Sequence, residues 1–208
     1  MRIDVLTIFP RLFETVFSWG VISRAIEREI IFFRAVDIRD FTEDRHRTTD
    51  DYPFGGGSGL VMKAEPILKA VESLSDEGTK PYVIYASPQG KVFDNNKAQE
   101  LSRLESIAFI CGRYEGIDER VMNVVDEELS VGDFVLSGGE VPAMLMIEAI
   151  SRFVPGVVGD MESVINDSFF SELLDHPHYT RPRELNGMKV PDELLSGNHE
   201  MIEIYRRI

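Results

Sequence analysis

The chain has 208 residues, enough for one substantial core with a small appendage. Its 43% hydrophobic and 28% charged content is that of an ordinary globular protein, and no apolar run reaches the length of a membrane span. A net charge of −14 argues against a generic electrostatic grip on nucleic acid, so any polyanionic partner must be held by local basic patches.

The opening MRIDVLTIF reads as a buried first strand ended by Pro10, and no secretory leader is visible in it. Arg11 to Ser18 and Val21 to Glu29 are two amphipathic helical segments broken at Gly20. Ile30 to Val36, rich in β-branched and aromatic residues, is the next strand. A long polar loop runs from Asp40 to Ser58, followed by a short strand at Gly59–Met62 and a helix from Ala64 to Leu74. Pro81 to Ala86 is a strand running into the turn Ser87-Pro88-Gln89-Gly90. Asp94 caps a helix expected to reach Leu104, and Ile107 to Cys111 is a further buried strand. Val141 to Phe153 is helical, with Pro142 in its first turn. Beyond Pro155-Gly156 the chain is linker-like up to Asn166, and the remainder has few strands and ends in a helix at His199–Arg207. Strands alternating with helices predict an α/β layer with a mostly parallel sheet.

The most informative stretch lies between Cys111 and Met144. Two glycine-bearing turns, at 111–116 and 136–140, each follow a short apolar run, and side-chain-free positions let a ligand approach the backbone. Arg113, Glu115 and Asp118 add charge of both signs. Together these predict a pocket at the C-terminal ends of strands that reads a polar small molecule mainly through main-chain groups. Glycines at strand ends are often only turns; two such turns flanked by charge favour the pocket. Cys111 closes an apolar run and reads as a buried thiol, and one cysteine forms no disulfide within the chain, which points to a reducing cytoplasm. GGGSG at 55–59 lacks the following Gly-Lys-Ser/Thr of a phosphate-binding loop. His176-Pro177-His178 offers two ligands with no Cys or third His nearby, so no metal is expected there. These residues alone also allow an α/β enzyme acting on an acidic or phosphorylated metabolite through Arg113 and Arg152.

Seven segments in order, DRHRTTDDYPFGGGSG at 44–59, SPQG at 87–90, CGRYEGIDERV at 111–121, VGDFVLSGGEVPAM at 131–144, SRFVPGV at 151–157, LLDHPHYTRP at 173–182 and VPDELLSGNH at 190–199, resemble the bacterial tRNA (guanine-37 N1)-methyltransferases of the SPOUT class. The resemblance covers nearly the whole chain. It implies an α/β SPOUT fold with a mostly parallel sheet and a deep C-terminal trefoil knot, in which the segment after a strand at 131–136 threads a loop. Connection rules alone would weigh heavily against a knot. It further implies domains at 1–158 (methyltransferase), 159–170 (linker) and 171–208 (helical, tRNA-binding), and a homodimer whose active sites are built from both subunits.

By the same resemblance S-adenosylmethionine is the methyl donor. Its pocket would comprise Ala86, Ser87, Pro88, Gly90, Gly112, Tyr114, Val131, Gly132, Phe134, Val135, Leu136, Gly138, Gly139 and Pro142. Methylating guanine at N1 requires removal of the N1 proton, so a general base is expected. The resemblance assigns that role to Asp167, before Ser168-Phe169, with Arg152 stabilising charge on O6 and Glu115 linked to the guanine site and to Mg²⁺. Arg45, His46 and Asp50 are the expected readers of the tRNA substrate. Relatives usually continue into a longer basic domain, whereas residues 171–208 carry five Lys or Arg against seven Asp or Glu, so a short segment with a weak RNA grip is expected here. A donor-binding dimer with little turnover is the corresponding alternative.

Overall fold

In the computed structural model, residues 1–75, 80–159, 167–170 and 174–206 are described. The chain forms two compact units, Met1–Gly159 and Asp160–Ile208.

The first unit is built on a five-stranded sheet of β1 (Arg2–Thr7), β2 (Phe32–Asp37), β5 (Tyr82–Val92), β6 (Ser106–Ile110) and β7 (Glu127–Ser130). Their order is β2-β1-β6-β5-β7, and every pairing is parallel. The central β6, Ser-Ile-Ala-Phe-Ile, is buried at all five positions, as a strand covered on both faces must be. Alternate side chains feed two cores. Ile3, Val5, Ile107 and Phe109 pack with helices α1 (Pro10–Val16), α2 (Gly20–Glu27), α4 (Asn95–Leu101) and α5 (Glu140–Phe153). Leu6, Ala108 and Ile110 pack with α3 (Ala64–Ser75) and the 3₁₀ turn at Glu119–Val124.

Several boundaries differ from the periodicity reading. The second strand starts at Phe32, not Ile30, because Glu29 adopts a left-handed φ of 57° and the amides of Ile30 and Ile31 donate to the carbonyl of Ala25. The helix capped by Asp94, whose carboxylate accepts from the Lys97 amide at 2.8 Å, ends at Leu101, three residues early. The strand that the resemblance implied at 131–136 sits instead at Glu127–Ser130. Its two glutamates disguise it, and Gly132, at φ 141°, turns the chain out of the sheet directly afterwards. The short strand expected at Gly59–Met62 shrinks to β4 (Val61–Met62), paired antiparallel with β3 (Asp50–Asp51).

The turn at Ser87–Gly90 is an excursion within one strand. Ala86 and Lys91 both pair with Leu129, so four residues are looped out before β5 resumes its place against β7. A Cβ on Gly90 would lie 2.4 Å from the carbonyl carbon of Glu128, so the return requires glycine.

The described part of the second unit holds a small hairpin, β8 (Glu184–Leu185) and β9 (Met188–Lys189), turned by Asn186-Gly187 with φ of 53° and 82°. A short helix at Asp192–Leu195 and a terminal one at His199–Arg206 follow. No helix among the described residues is long and apolar enough to cross a membrane.

Candidate functional site

Parallel strands place all their C-terminal ends on one edge, and there β5, β6 and β7 open into a cavity of about 470 Å³. Three loops wall it: residues 86–89 from the β5 excursion, 112–117 after β6, and 131–139 after β7, with Pro142 of α5 closing one side. All the residues expected around the donor line this cavity except Gly90, which lies behind the wall against β7, while Gln89 takes a place on the lining.

The loops are held together by unusually close backbone approaches. The Gly139 amide donates to the Gly112 carbonyl at 2.9 Å, and Arg113 and Gly138 form an antiparallel bridge. A Cβ on Gly139 would lie 2.8 Å from Cys111 Cα, and one on Gly138 would lie 2.2 Å from Arg113 Nε. Gly139 lets 131–139 cross the 111–112 backbone at this distance, and Gly138 leaves room for the Arg113 side chain.

The 112–117 loop is also bound to the β3–β4 pair. Tyr114, in the left-handed region at φ 61°, bridges to Val61; the Glu115 amide donates to Leu60 O at 3.0 Å; the Asp118 amide donates to Met62 O at 2.9 Å. Burial pushes the Tyr114 phenol above its usual pKa, and its hydrogen bond with Asp50 adds to that. Asp50 therefore stands beside the pocket instead of in a free loop. Glu115 is exposed at the pocket edge, packed against Gly59, where a Cβ would lie 2.4 Å from Oε1.

Arg45 and His46 are exposed on a turn organised by Asp44, whose carboxylate accepts from the amides of His46 and Thr48, both at 3.0 Å, and from the Thr48 hydroxyl at 2.8 Å. These bonds hold the Asp44 carboxyl below its usual range, those from Thr48 foremost. Arg47 is engaged with Asp40 and the Arg39 carbonyl.

Arg152 is half-buried in the last turn of α5. Asp167 belongs to the second unit and Arg152 and Glu115 to the first. Asn166, which precedes Asp167, lies outside the described residues. Asp175 also belongs to the second unit; its amide donates to Ser168 Oγ at 2.8 Å, and its carboxylate lies 2.9 Å from His176 Nδ1 and 2.7 Å from His178 Nε2. These three side chains are the one group of metal-capable donors among the described residues, and each is partnered by another.

Cys111 is buried completely; burial first, and the charge of Glu140 second, push its thiol well above the ordinary pKa, so it is no nucleophile. Glu140 is the feature that reading the sequence missed. A glutamate opening a helix looks like a partner of the helix dipole, yet this one is 0% exposed and ion-paired to Arg113 at 2.8 Å.

The arrangement suits a ligand gripped by main-chain groups, with apolar contact from Phe134, Val135 and Leu136 and a cation held behind the loop.

Comparison with known proteins identifies the family. Residues 1–208 match the family described as tRNA (guanine-1)-methyltransferase TrmD. A tRNA (guanine-N(1)-)-methyltransferase of Thermosipho africanus is 59% identical over 207 residues, covering 100% of this chain and 84% of the relative. The enzyme of that name from Persephonella marina is 54% identical over 208 residues, covering 100% and 82%. Among solved structures, the tRNA (m1G37) methyltransferase from Aquifex aeolicus superposes with a TM-score of 0.84 at 42% identity, over 99% of this chain and 87% of that one. The chain therefore belongs to the tRNA (guanine-1)-methyltransferase family.

Proposed function

We infer that this protein transfers a methyl group from S-adenosylmethionine to N1 of guanosine 37 in tRNA. The observation that carries the reading is the cavity at the strand ends, walled by three loops whose motifs match the family and which meet backbone to backbone. When bound, S-adenosylmethionine supplies an electrophilic methyl group on a sulfonium.

The chain's own residues do the rest. Main-chain groups of 86–89, 112–114 and 131–139 bind and orient the donor, and Phe134, Val135 and Leu136 limit water around it. Asp167 accepts the N1 proton as the nitrogen attacks. A carboxylate is a weak base, so the guanine must be made more acidic, and Arg152 does this by stabilising negative charge at O6. Glu115 orients the guanine edge. An exposed carboxylate is also a donor type that suits Mg²⁺, so Glu115 would be a residue to hold that ion. Arg45, His46 and Asp50 contact the RNA, the first two on the exposed turn and Asp50 at the pocket side.

The trefoil knot is part of this reading. Its support is the passage of 131–139 across 111–113, where Gly139 packs directly on the Cys111 backbone and Gly138 bridges Arg113. Residues 1–158 are then the donor-binding domain, residues 159–170 the linker, which carries the base Asp167, and residues 171–208 the segment that adds RNA contacts. A homodimer with active sites at the subunit interface is supported by exposed large apolar residues on the first and fifth helices and the chain between them: Leu12, Val16, Trp19, Val135, Val141 and Leu145. A tRNA-modifying enzyme with a free cysteine belongs in the cytoplasm.

The test is methyl transfer from labelled S-adenosylmethionine to unmodified tRNA, with calorimetric titration of the donor alone. Transfer to tRNA carrying guanosine 37, lost when that base is replaced, is the expected result. Absence of donor binding would sink the reading. Donor binding without transfer would leave a donor-binding dimer in its place.

A further inference from the structure

We infer that Glu140 is a positioning residue: acting through Arg113, it fixes the 131–138 loop in the shape that binds the donor. The inference rests on the donor-site reading above and adds a residue that reading does not use.

Glu140 has no solvent exposure, and both of its carboxylate oxygens are committed. Oε1 accepts from the Thr7 hydroxyl at 2.8 Å, a bond spanning 133 residues of sequence, and Oε2 accepts from Arg113 Nε at 2.8 Å. Three segments thus meet on one side chain: the end of β1, the loop after β6 and the start of α5.

Arg113 does more than neutralise the carboxylate. Its Nη1 donates to the Ser137 carbonyl at 3.2 Å, and its guanidinium lies over the Phe9 ring, 4.7 Å from the centroid. Gly138 leaves the space it occupies, since a Cβ there would overlap Nε. The side chain is therefore fixed in a slot between Phe9 and the donor loop, with its orientation set from behind by Glu140. The loop needs such an anchor. Its middle, Phe134 to Leu136, is exposed, and its C-terminal half is tied to the 111–113 segment by the Ser137 and Gly139 bonds.

Stability is a weak explanation for this pair. A buried ion pair seldom outperforms well-packed apolar residues, because desolvating two charges offsets most of their attraction. Positioning a cavity wall is what a fixed, two-ended arginine does better than any apolar side chain.

The experiment uses the full chain. Glu140→Gln keeps the shape and removes the charge; Arg113→Lys keeps the charge and removes the fork; Thr7→Val removes the rear hydrogen bond. Donor affinity is read by calorimetry and KM by methyl transfer, at a temperature well below the measured melting point of each variant. For Glu140→Gln and Arg113→Lys, the donor Kd and the donor KM should rise by about tenfold or more, while KM for tRNA stays within about twofold. Thr7→Val should show a smaller loss in the same direction, and the Glu140→Gln/Arg113→Lys double variant should be no worse than the weaker single, because both act on one device. Lower melting points with unchanged donor affinity would show a purely structural pair and overturn the inference. So would a change confined to KM for tRNA. If Glu140→Gln does not fold, Arg113→Lys and Thr7→Val decide alone. Unmutated protein that bound no donor would instead bring down the methyltransferase reading, and this inference with it.

Discussion

Asp167 is the proposed base, and its replacement separates chemistry from binding. Asp167→Ala should lower methyl transfer about 10²- to 10⁴-fold, the usual worth of a general base, while calorimetric donor affinity stays at the wild-type value. Full transfer by that variant would remove the assignment. Gly90 tests the scaffold at the same scale. Gly90→Ala places a methyl group 2.4 Å from the Glu128 carbonyl carbon, so β5 and β7 must part; a destabilisation of about 1–3 kcal/mol in denaturant unfolding is expected, with weakened donor binding. Residue types were the most legible layer of the sequence. The glycines of 111–116 and 136–140 stand where backbones meet, and Cys111 is buried as its apolar run indicated. Gly90 shows the limit, because a glycine in a turn motif reads the same whether it lines a cavity or backs onto a neighbouring strand. Glu140 was illegible for a stronger reason: its partners, Thr7 and Arg113, lie on other elements.

At the scale of elements, the 112–118 loop owes its position to short-range bonds with β4 and to the cap of the 3₁₀ turn that follows. Asp118 caps that turn, and its carboxylate accepts from Arg120 at 2.8 and 2.6 Å as well as from the Arg120 amide at 2.9 Å. These bonds hold its pKa at about 2 against an ordinary 3.8. The folded-state pKa is depressed, so the stabilisation is fully present above about pH 4 and is lost as the pH falls from there toward 2. Arg120→Ala should bring the folded pKa back toward its ordinary value and remove that part of the acid-unfolding slope. An unchanged stability profile between pH 4 and 2 would refute the assignment. Elements with strong periodicity, such as β1, β6, α3 and α5, were legible almost to their ends. β7 was not, because Glu127 and Glu128 mask a short strand and the apolar Phe134-Val135-Leu136 imitates one. In the structure those three side chains line the cavity instead of a sheet.

For the molecule as a whole, the apolar residues left exposed on the first and fifth helices predict self-association. Light scattering should give twice the chain mass, and Leu145→Arg together with Trp19→Asp should shift the protein to the monomer and abolish methyl transfer with the fold intact by circular dichroism. A wild-type monomer with full activity would contradict a shared active site. A chain of net charge −14 must hold tRNA through few contacts, and Arg45 and His46, exposed on one turn, are the proposed first of them. By itself the sequence determined the α/β alternation, the buried strands and the chemical types gathered in its motifs, because periodicity and residue type are local properties of a chain. Tertiary structure alone decided that 86–89, 112–117 and 131–139 enclose one cavity, that Gly138 and Gly139 cross Arg113 and Cys111, and that Glu140 finds Thr7 across 133 residues. Those contacts follow from the parallel order β1-β6-β5-β7, which brings four strand ends to one edge; strand order is a property of packing, and no window of sequence contains it.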